Sequence, residues 1–353
     1  MNFDYNEEQQ LLADSVRRYL QDKYQFEQRR KIVAGEGWSA EAWTQFAQMG
    51  LTGLPVSTEH DGFGGGAVDL MGIMEAFGEA LVVEPYLPLV MAVRALERGG
   101  SVGLLPRVID GSMKLAWAHS EKGARYDVDA VRLGAKRKGS AWTLEGEKAA
   151  VIGAPTADRL VVTARASDGV ALYLVDRAKA EVKAYRTMDE RLAGDVTLRG
   201  VEAQRLEGGM PLVEEVLDLA TALVCAEAVG AMKFACDTTL EYLKTRKQFG
   251  VPIGAFQALQ HRMVDMFISL EQARSMACLA CSRADAGGDA RAISSAKIKI
   301  SDAARHISQE AVQLHGGMGM SEELKVSHAF RRLTVLAREF GDADHHLARF
   351  AAL

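Results

Sequence analysis

The chain has 353 residues, of which 48% are apolar and 25% charged, and its net charge is −5. That length exceeds one simple core and predicts two or three domains. The mild negative charge excludes a general attraction for nucleic acid or anionic membrane.

Residues 1–112 read as an N-terminal helical domain. The opening M-N-F-D-Y-N-E-E-Q-Q has neither a basic start nor an apolar run, so no secretory signal is visible and a cytoplasmic location is expected. Asn6 with Gln9 resembles a capping box, and Leu12, Val16 and Tyr19 follow at helical spacing. The run E-H-D-G-F-G-G-G (residues 59–66) lacks a preceding strand and the spacing of a dinucleotide fingerprint, so it reads as a flexible connection. A second helix starts near Ala67 with Leu70, Ile73, Phe77 and Leu81 on one face. The apolar stretch L-V-V-E-P-Y-L-P-L-V-M after it is cut by Glu84, Pro85 and Pro88 and is too short to cross a bilayer.

Residues 113–208 change pattern. K-L-A-W-A, A-V-R-L-G-A-K-R, A-W-T-L-E-G, D-R-L-V-V-T-A-R, V-A-L-Y-L-V and D-V-T-L-R are short alternating or β-branched runs separated by turn signals. They predict a small antiparallel sheet or barrel. Residues 209–353 return to helix. The stretch around V-L-D-L-A-T-A-L-V-C-A-E-A-V-G-A-M is apolar nearly all round and belongs at the centre of a bundle. Phe256, Leu259, Met263, Met266, Leu270 and Ala273 form one stripe; Ile293, Ala296, Ile300, Ala303, Ile307, Ala311 and Leu314 form another. The expected fold is mainly α with a central β domain: N-terminal helices, a small β-barrel, and a C-terminal four-helix bundle.

No metal site is expected. Cys278 and Cys281 have metal-ligand spacing, but they lie in a helical pattern without a second pair or a nearby histidine, and read as buried thiols with Cys225 and Cys236. His345 and His346 are adjacent and cannot face one ligand from a helix.

Two interruptions of the last domain ask for another explanation. R-K-Q-F-G-V-P-I-G (246–254) places Arg246, Gln248 and Phe249 in a turn that needs only its glycine and proline. Q-L-H-G-G-M-G-M-S-E-E (313–323) breaks a helix with Gly316 and Gly317, beside the amide of Gln313. A cation and open backbone amides suit a diphosphate. Either motif alone is a common solvated turn or helix end; the pair, after a β segment, is specific.

On these motifs, together with Phe256-Gln257, the chain resembles the acyl-CoA dehydrogenase family across essentially all 353 residues. The resemblance implies the same three-part fold and an FAD shared across a subunit interface. It assigns Arg246, Gln248, Phe249 and Gln257, with Gln313, Gly316 and Gly317, to the diphosphate and adenosine of an FAD whose ring lies in a neighbouring chain. The flavin-ring half departs from the family. Ser120 keeps a hydroxyl and is carried over as a flavin contact, but Arg125 and Tyr126 replace small residues. The aromatic wall position is Ala150, and the hydroxyl position after it is Ile152.

The family's catalytic glutamate is missing as well. Counting from Gln313, its segment reads Glu339-Phe340-Gly341-Asp342, so the base position is Phe340; the alternative position, on the helix before the basic turn, is Ala220. Glu339, one residue off, and Glu227, seven beyond Ala220, are the candidates left, and no catalytic residue is expected on this chain. Keeping the half that serves a neighbour's FAD while losing wall and base is similar to the small subunit of a heteromeric acyl-CoA dehydrogenase, most of all the pimeloyl-CoA dehydrogenase type. That likeness implies an α2β2 assembly with a large subunit, α,β-dehydrogenation of an acyl-CoA, and electrons passed to an electron-transfer flavoprotein. A self-sufficient homo-oligomer using Glu339 and a non-catalytic scaffold are the alternatives.

Overall fold

The computed structural model describes residues 5–139 and 141–353. Helix α1 (Glu7–Lys23) opens on the expected capping box: the Asn6 side chain accepts from the Gln9 amide at 2.8 Å, and the Gln9 side chain accepts from the Asn6 amide at 2.9 Å. Helices α2 (Phe26–Ala34), α3 (Ala40–Gln48), α4 (Ala67–Ala80), α5 (Tyr86–Arg98) and α6 (Leu105–Ile109) follow. Pro88 is accommodated because it lies in the first turn of α5, where a backbone N–H has no helical partner to lose.

The glycine run 59–66 is not the loose connection its composition suggests. The Gly64 amide bonds to Val56 O and the Gly65 amide to Leu54 O, both at 2.7 Å. A Cβ at Gly62 would lie 2.2 Å from Val56 O, and one at Gly65 2.7 Å from the Leu54 side chain. These glycines permit close packing rather than mobility.

Seven strands follow: β1 (Leu115–Ala118), β2 (Gly134–Lys138), β3 (Ala141–Ile152), β4 (Arg159–Ala166), β5 (Gly169–Asp176), β6 (Glu181–Arg186) and β7 (Leu192–Arg205). The order β4-β2-β3-β7-β5 closes on itself through β4–β5 pairing, so the sheet is a barrel, with β1 added to β4 and β6 to β7. Most pairs are antiparallel, as expected, but β1 and β2 run parallel to β4. Leu144, Leu160, Val162, Tyr173, Val196 and Leu198 are among the alternating residues that fill it.

The remaining helices are α7 (Gly209–Thr245), α8 (Gln257–Asp285), α9 (Ala290–His315), α10 (Lys325–Leu336) and α11 (Ala343–Ala352). Helix α7 is long and apolar enough to cross a membrane, yet 89% of its most apolar window is buried within the protein, which makes it a core helix. It crosses α4 at two glycines. A Cβ on Gly230 would lie 1.8 Å from Glu75 O, and one on Gly78 1.9 Å from Glu227 O.

By contacts the chain forms two units. One gathers the residues up to Arg29, Ala67–Val82 and Thr221–Leu353; the other holds Arg30–Gly66 and Val83–Ala220, including the barrel. In the first unit every residue of the α9 stripe is buried. The α8 stripe is buried only from Met266 onward, and Phe256, Val264, Phe267 and Ile268 are exposed. All four cysteines are buried free thiols.

Candidate functional site

The turn after α7 is a miniature hairpin, β8 (Lys247–Gln248) paired with β9 (Val251–Pro252). Its two-residue loop needs positive φ at both positions, and Phe249 and Gly250 supply φ of +53° and +86°. Glycine adopts this readily. Phenylalanine does so against a steric penalty, and here its ring is 91% exposed, touching Phe256 edge-on at 6.2 Å between centroids. Arg246 is exposed as well. Its backbone is tied down, the amide to Tyr242 O and the carbonyl to the Ile253 amide, each at 2.8 Å, but its side chain has no partner among the described residues. Gln248 and Gln257 are exposed beside it in sequence.

Helix α9 ends at His315 because Gly316 takes φ +62°, and a 3-10 turn runs over Gly316–Met320. Gln313, Gly316 and Gly317 are exposed, and a Cβ at either glycine would meet nothing within 4 Å. The two interruptions, some seventy residues apart in sequence, are joined by a contact not anticipated from sequence. The Tyr242 ring stacks on His315 with centroids 4.4 Å apart, and the Tyr242 hydroxyl donates to His315 O at 3.4 Å. Tyr242 lies one helical turn before Arg246, on the same face. The bundle therefore ends in a cation, amides and open glycine backbone set among the exposed Phe249, Phe256, Met318 and Met320.

The two carboxylates considered as bases converge on one arginine. Arg332 of α10 donates from Nε to Glu227 Oε1 at 2.7 Å, and its NH2 lies 2.5 Å from the same oxygen. Arg332 is 4% and Glu227 3% exposed. Glu339 Oε2 is 3.9 Å from the other guanidinium nitrogen. Glu227 is thus a buried ion-pair partner, and Glu339 turns toward the same cation. The missed residue is Arg332; its one available signal is a charge within the apolar stripe Val326, Ala329, Leu333, Leu336.

The corner between α10 and α11 is pinned from beneath. Lys297 Nζ donates to Leu336 O, and Ser301 Oγ donates to Ala337 O at 3.1 Å. Phe340 has φ +59°. His346 Nε2 donates to its carbonyl at 3.1 Å, which leaves Nδ1 to accept from Ser294 Oγ at 3.3 Å. Burial, with Lys297 adding repulsion, pushes the His346 pKa down to about 3. In the barrel, burial and then Lys148 push His119 down to about 4. A free histidine titrates near about 6.5, so below that pH the unfolded chain binds more protons than the folded one. Stability held above about pH 6.5 is therefore lost on acidification, by on the order of 3 kcal/mol at His346 by about pH 4. Denaturation midpoints across that range should slope less steeply in His346→Gln; an unchanged slope would show that this imidazole does not control it.

The barrel half is built differently. Ser120 is exposed, and its carbonyl accepts the Ala149 amide at 2.8 Å. Behind it Lys148, 1% exposed, donates to Glu121 at 2.7 Å, Thr163 Oγ1 at 2.9 Å and His119 O at 3.0 Å. The β3–β7 register then slips between Lys148 and Val151. Ala150 sits in this bulge with φ +54°, and its amide donates to Asp195 Oδ1 at 3.2 Å. Bulges of this kind re-aim side chains beside functional sites. Here the re-aimed, exposed side chain is a methyl group, and Ile152 lies just beyond it.

The chain matches the acyl-CoA dehydrogenase N-terminal domain over residues 6–104, the middle domain over 116–204 and the C-terminal domain over 207–352. It belongs to the acyl-CoA dehydrogenase family, oxidoreductases that act on CH–CH bonds. Three solved structures are similar along the whole length. The Tcur3481-Tcur3483 steroid acyl-CoA dehydrogenase, a G363A variant, is 30% identical with a TM-score of 0.92 over 98% of this chain and 97% of that one. The ChsE4-ChsE5 complex from Mycobacterium tuberculosis is 26% identical with a TM-score of 0.93, covering 100% and 98%. PigA with FAD and proline is 25% identical with a TM-score of 0.87, covering 100% and 98%. Members of the family bind FAD, as PigA does.

Proposed function

We propose that this chain is the small, base-lacking subunit of a heteromeric acyl-CoA dehydrogenase, and that it completes the FAD site of a large subunit. The observation that carries this reading is the asymmetry between the two halves of the site. At the bundle end, the Arg246 guanidinium, unpartnered among the described residues, and the open Gly316–Gly317 backbone suit a diphosphate, and the exposed Phe249 and Gln257 are assigned to its adenosine. In the barrel, Ala150 and Ile152 offer neither aromatic wall nor hydroxyl, and the residues there fit a flavin ring poorly. The chemistry that FAD would supply there is acceptance of the hydride leaving the acyl β-carbon.

Among the described residues the carboxylates considered for the α-proton are otherwise engaged: Phe340 occupies the counted base position, and Arg332 holds Glu227 and draws Glu339. The large subunit supplies that carboxylate, in an α2β2 assembly of the pimeloyl-CoA or steroid side-chain type, and an electron-transfer flavoprotein reoxidises the cofactor. The Tcur3481-Tcur3483 and ChsE4-ChsE5 neighbours, each with two named components, support a two-chain assembly. Flavin absorbance and light scattering on the chain purified alone test the proposal. Little flavin alone, regained with a large subunit, is the expected result. One flavin per chain in an active homo-oligomer would overturn it and return Glu339 to consideration.

A further inference from the structure

We propose that His315 is the proton-linked member of the nucleotide corner: an anionic diphosphate seated over Gly316 and Gly317 draws a proton onto His315 Nε2, so that ligand affinity rises as pH falls. This rests on the assignment of that corner to a nucleotide diphosphate made above.

Three observations lead to it. First, the corner has an electrostatic defect. Gly316 and Gly317 follow the C-terminus of a 26-residue helix, where the helix dipole amounts to roughly half a negative charge. An anion placed there meets repulsion that Arg246, on a different element, offsets only in part. A cation at the last helical residue cancels that field at its source, and the last residue of α9 is a histidine.

Second, the tautomer is fixed with the useful nitrogen free. His315 Nδ1 lies 2.8 Å from Ala311 O, and a carbonyl can only accept, so Nδ1 carries the hydrogen. In the neutral ring Nε2 is then a bare acceptor, and it has no partner among the described residues. Uptake of one proton from solvent turns it into a donor without disturbing the Ala311 bond.

Third, the ring is placed between the two halves of the corner. It is 4% exposed and stacked on Tyr242, one turn before Arg246. The ionisable groups on neighbouring elements are Tyr242 on α7 and Arg246 just beyond it, His261 and the Arg262–Glu310 pair of α8 and α9, and Glu322, Glu323 and Lys325 beyond the turn. Burial lowers the pKa of His315, against the opposing Ala311 bond, and keeps it neutral near pH 7 while the corner is empty. The incoming anion supplies the charge that changes this.

The test uses the full chain and ADP-ribose, which has the diphosphate and adenosine but no flavin ring, and whose diphosphate diester does not titrate near neutrality. Calorimetry in two buffers of different ionisation enthalpy reads both affinity and proton uptake. Binding should be roughly five- to tenfold tighter at about pH 5.5 than at about pH 7.5, with net proton uptake. In His315→Gln the uptake should vanish, leaving an affinity close to the weaker wild-type value at both pH values. Binding that depends on Arg246 but takes up no proton, or uptake that persists in His315→Gln, would overturn the role of His315 while leaving the nucleotide corner standing. Absence of Arg246-dependent binding even at millimolar ADP-ribose, where a half-site of this kind should still fill, would overturn both.

Discussion

Glu227→Gln is expected to lower the stability of the C-terminal helical unit by roughly 3–5 kcal/mol, because it leaves Arg332 charged, buried and stripped of its main counter-ion. The change is isosteric, so cavity formation does not contribute. The loss would appear as a lower urea midpoint followed by the helical signal, with an unchanged slope. Glu339, at 3.9 Å from the far side of the guanidinium, is too distant to replace a contact made by two nitrogens at 2.5 and 2.7 Å. Removing both charges, as Glu227→Leu with Arg332→Met, should restore much of the loss, since a well-packed apolar pair escapes the desolvation cost that the ion pair bears. The outcome also separates a structural from a catalytic carboxylate. A base freed from structural duty would leave the midpoint where it was, and a midpoint unmoved by Glu227→Gln would mean that Arg332 is not what occupies this residue.

That ion pair marks the limit of what could be read along the chain. The α9 stripe was legible because burial of one helix face imposes its period on the sequence itself, and all seven stripe residues are buried. Arg332 and Glu227 carry no such local signature; they are 105 positions apart, on α10 and α7, and meet only in the folded chain. Strand β6 escaped notice for a related reason. Glu181–Arg186 lies at the margin of the barrel with only Val182 and Tyr185 half-buried, so its alternation is faint. The glycine run 59–66 misled in the opposite direction, since composition cannot distinguish a glycine that permits motion from one that permits contact with Leu54 and Val56. At the bundle end, the residue types were legible and their joint was not. Gly250 and Pro252 announce a turn, whereas the Tyr242–His315 stack that ties this turn to the Gly316–Gly317 break is a tertiary contact.

Arg246→Ala should weaken FAD binding in the assembled complex by roughly ten- to a hundred-and-fifty-fold, the equivalent of one charge-assisted contact worth about 1.5–3 kcal/mol. The substitution is clean. The Arg246 side chain is exposed and free of partners among the described residues, so folding stability should stay within about 0.5 kcal/mol of wild type. Any loss of flavin then reports on the site and not on the fold. Arg246→Lys would sharpen the result. It keeps the charge but loses the planar fork that grips two phosphate oxygens at once, so it should recover only part of the affinity. Raising the salt should weaken the wild type more than the alanine variant, because an exposed contact of this kind is screened. Flavin content and affinity equal to wild type in Arg246→Ala would reduce Arg246 to a solvated turn residue. The strained, exposed Phe249 beside it would then need a different explanation, as an anchor for the neighbouring chain alone.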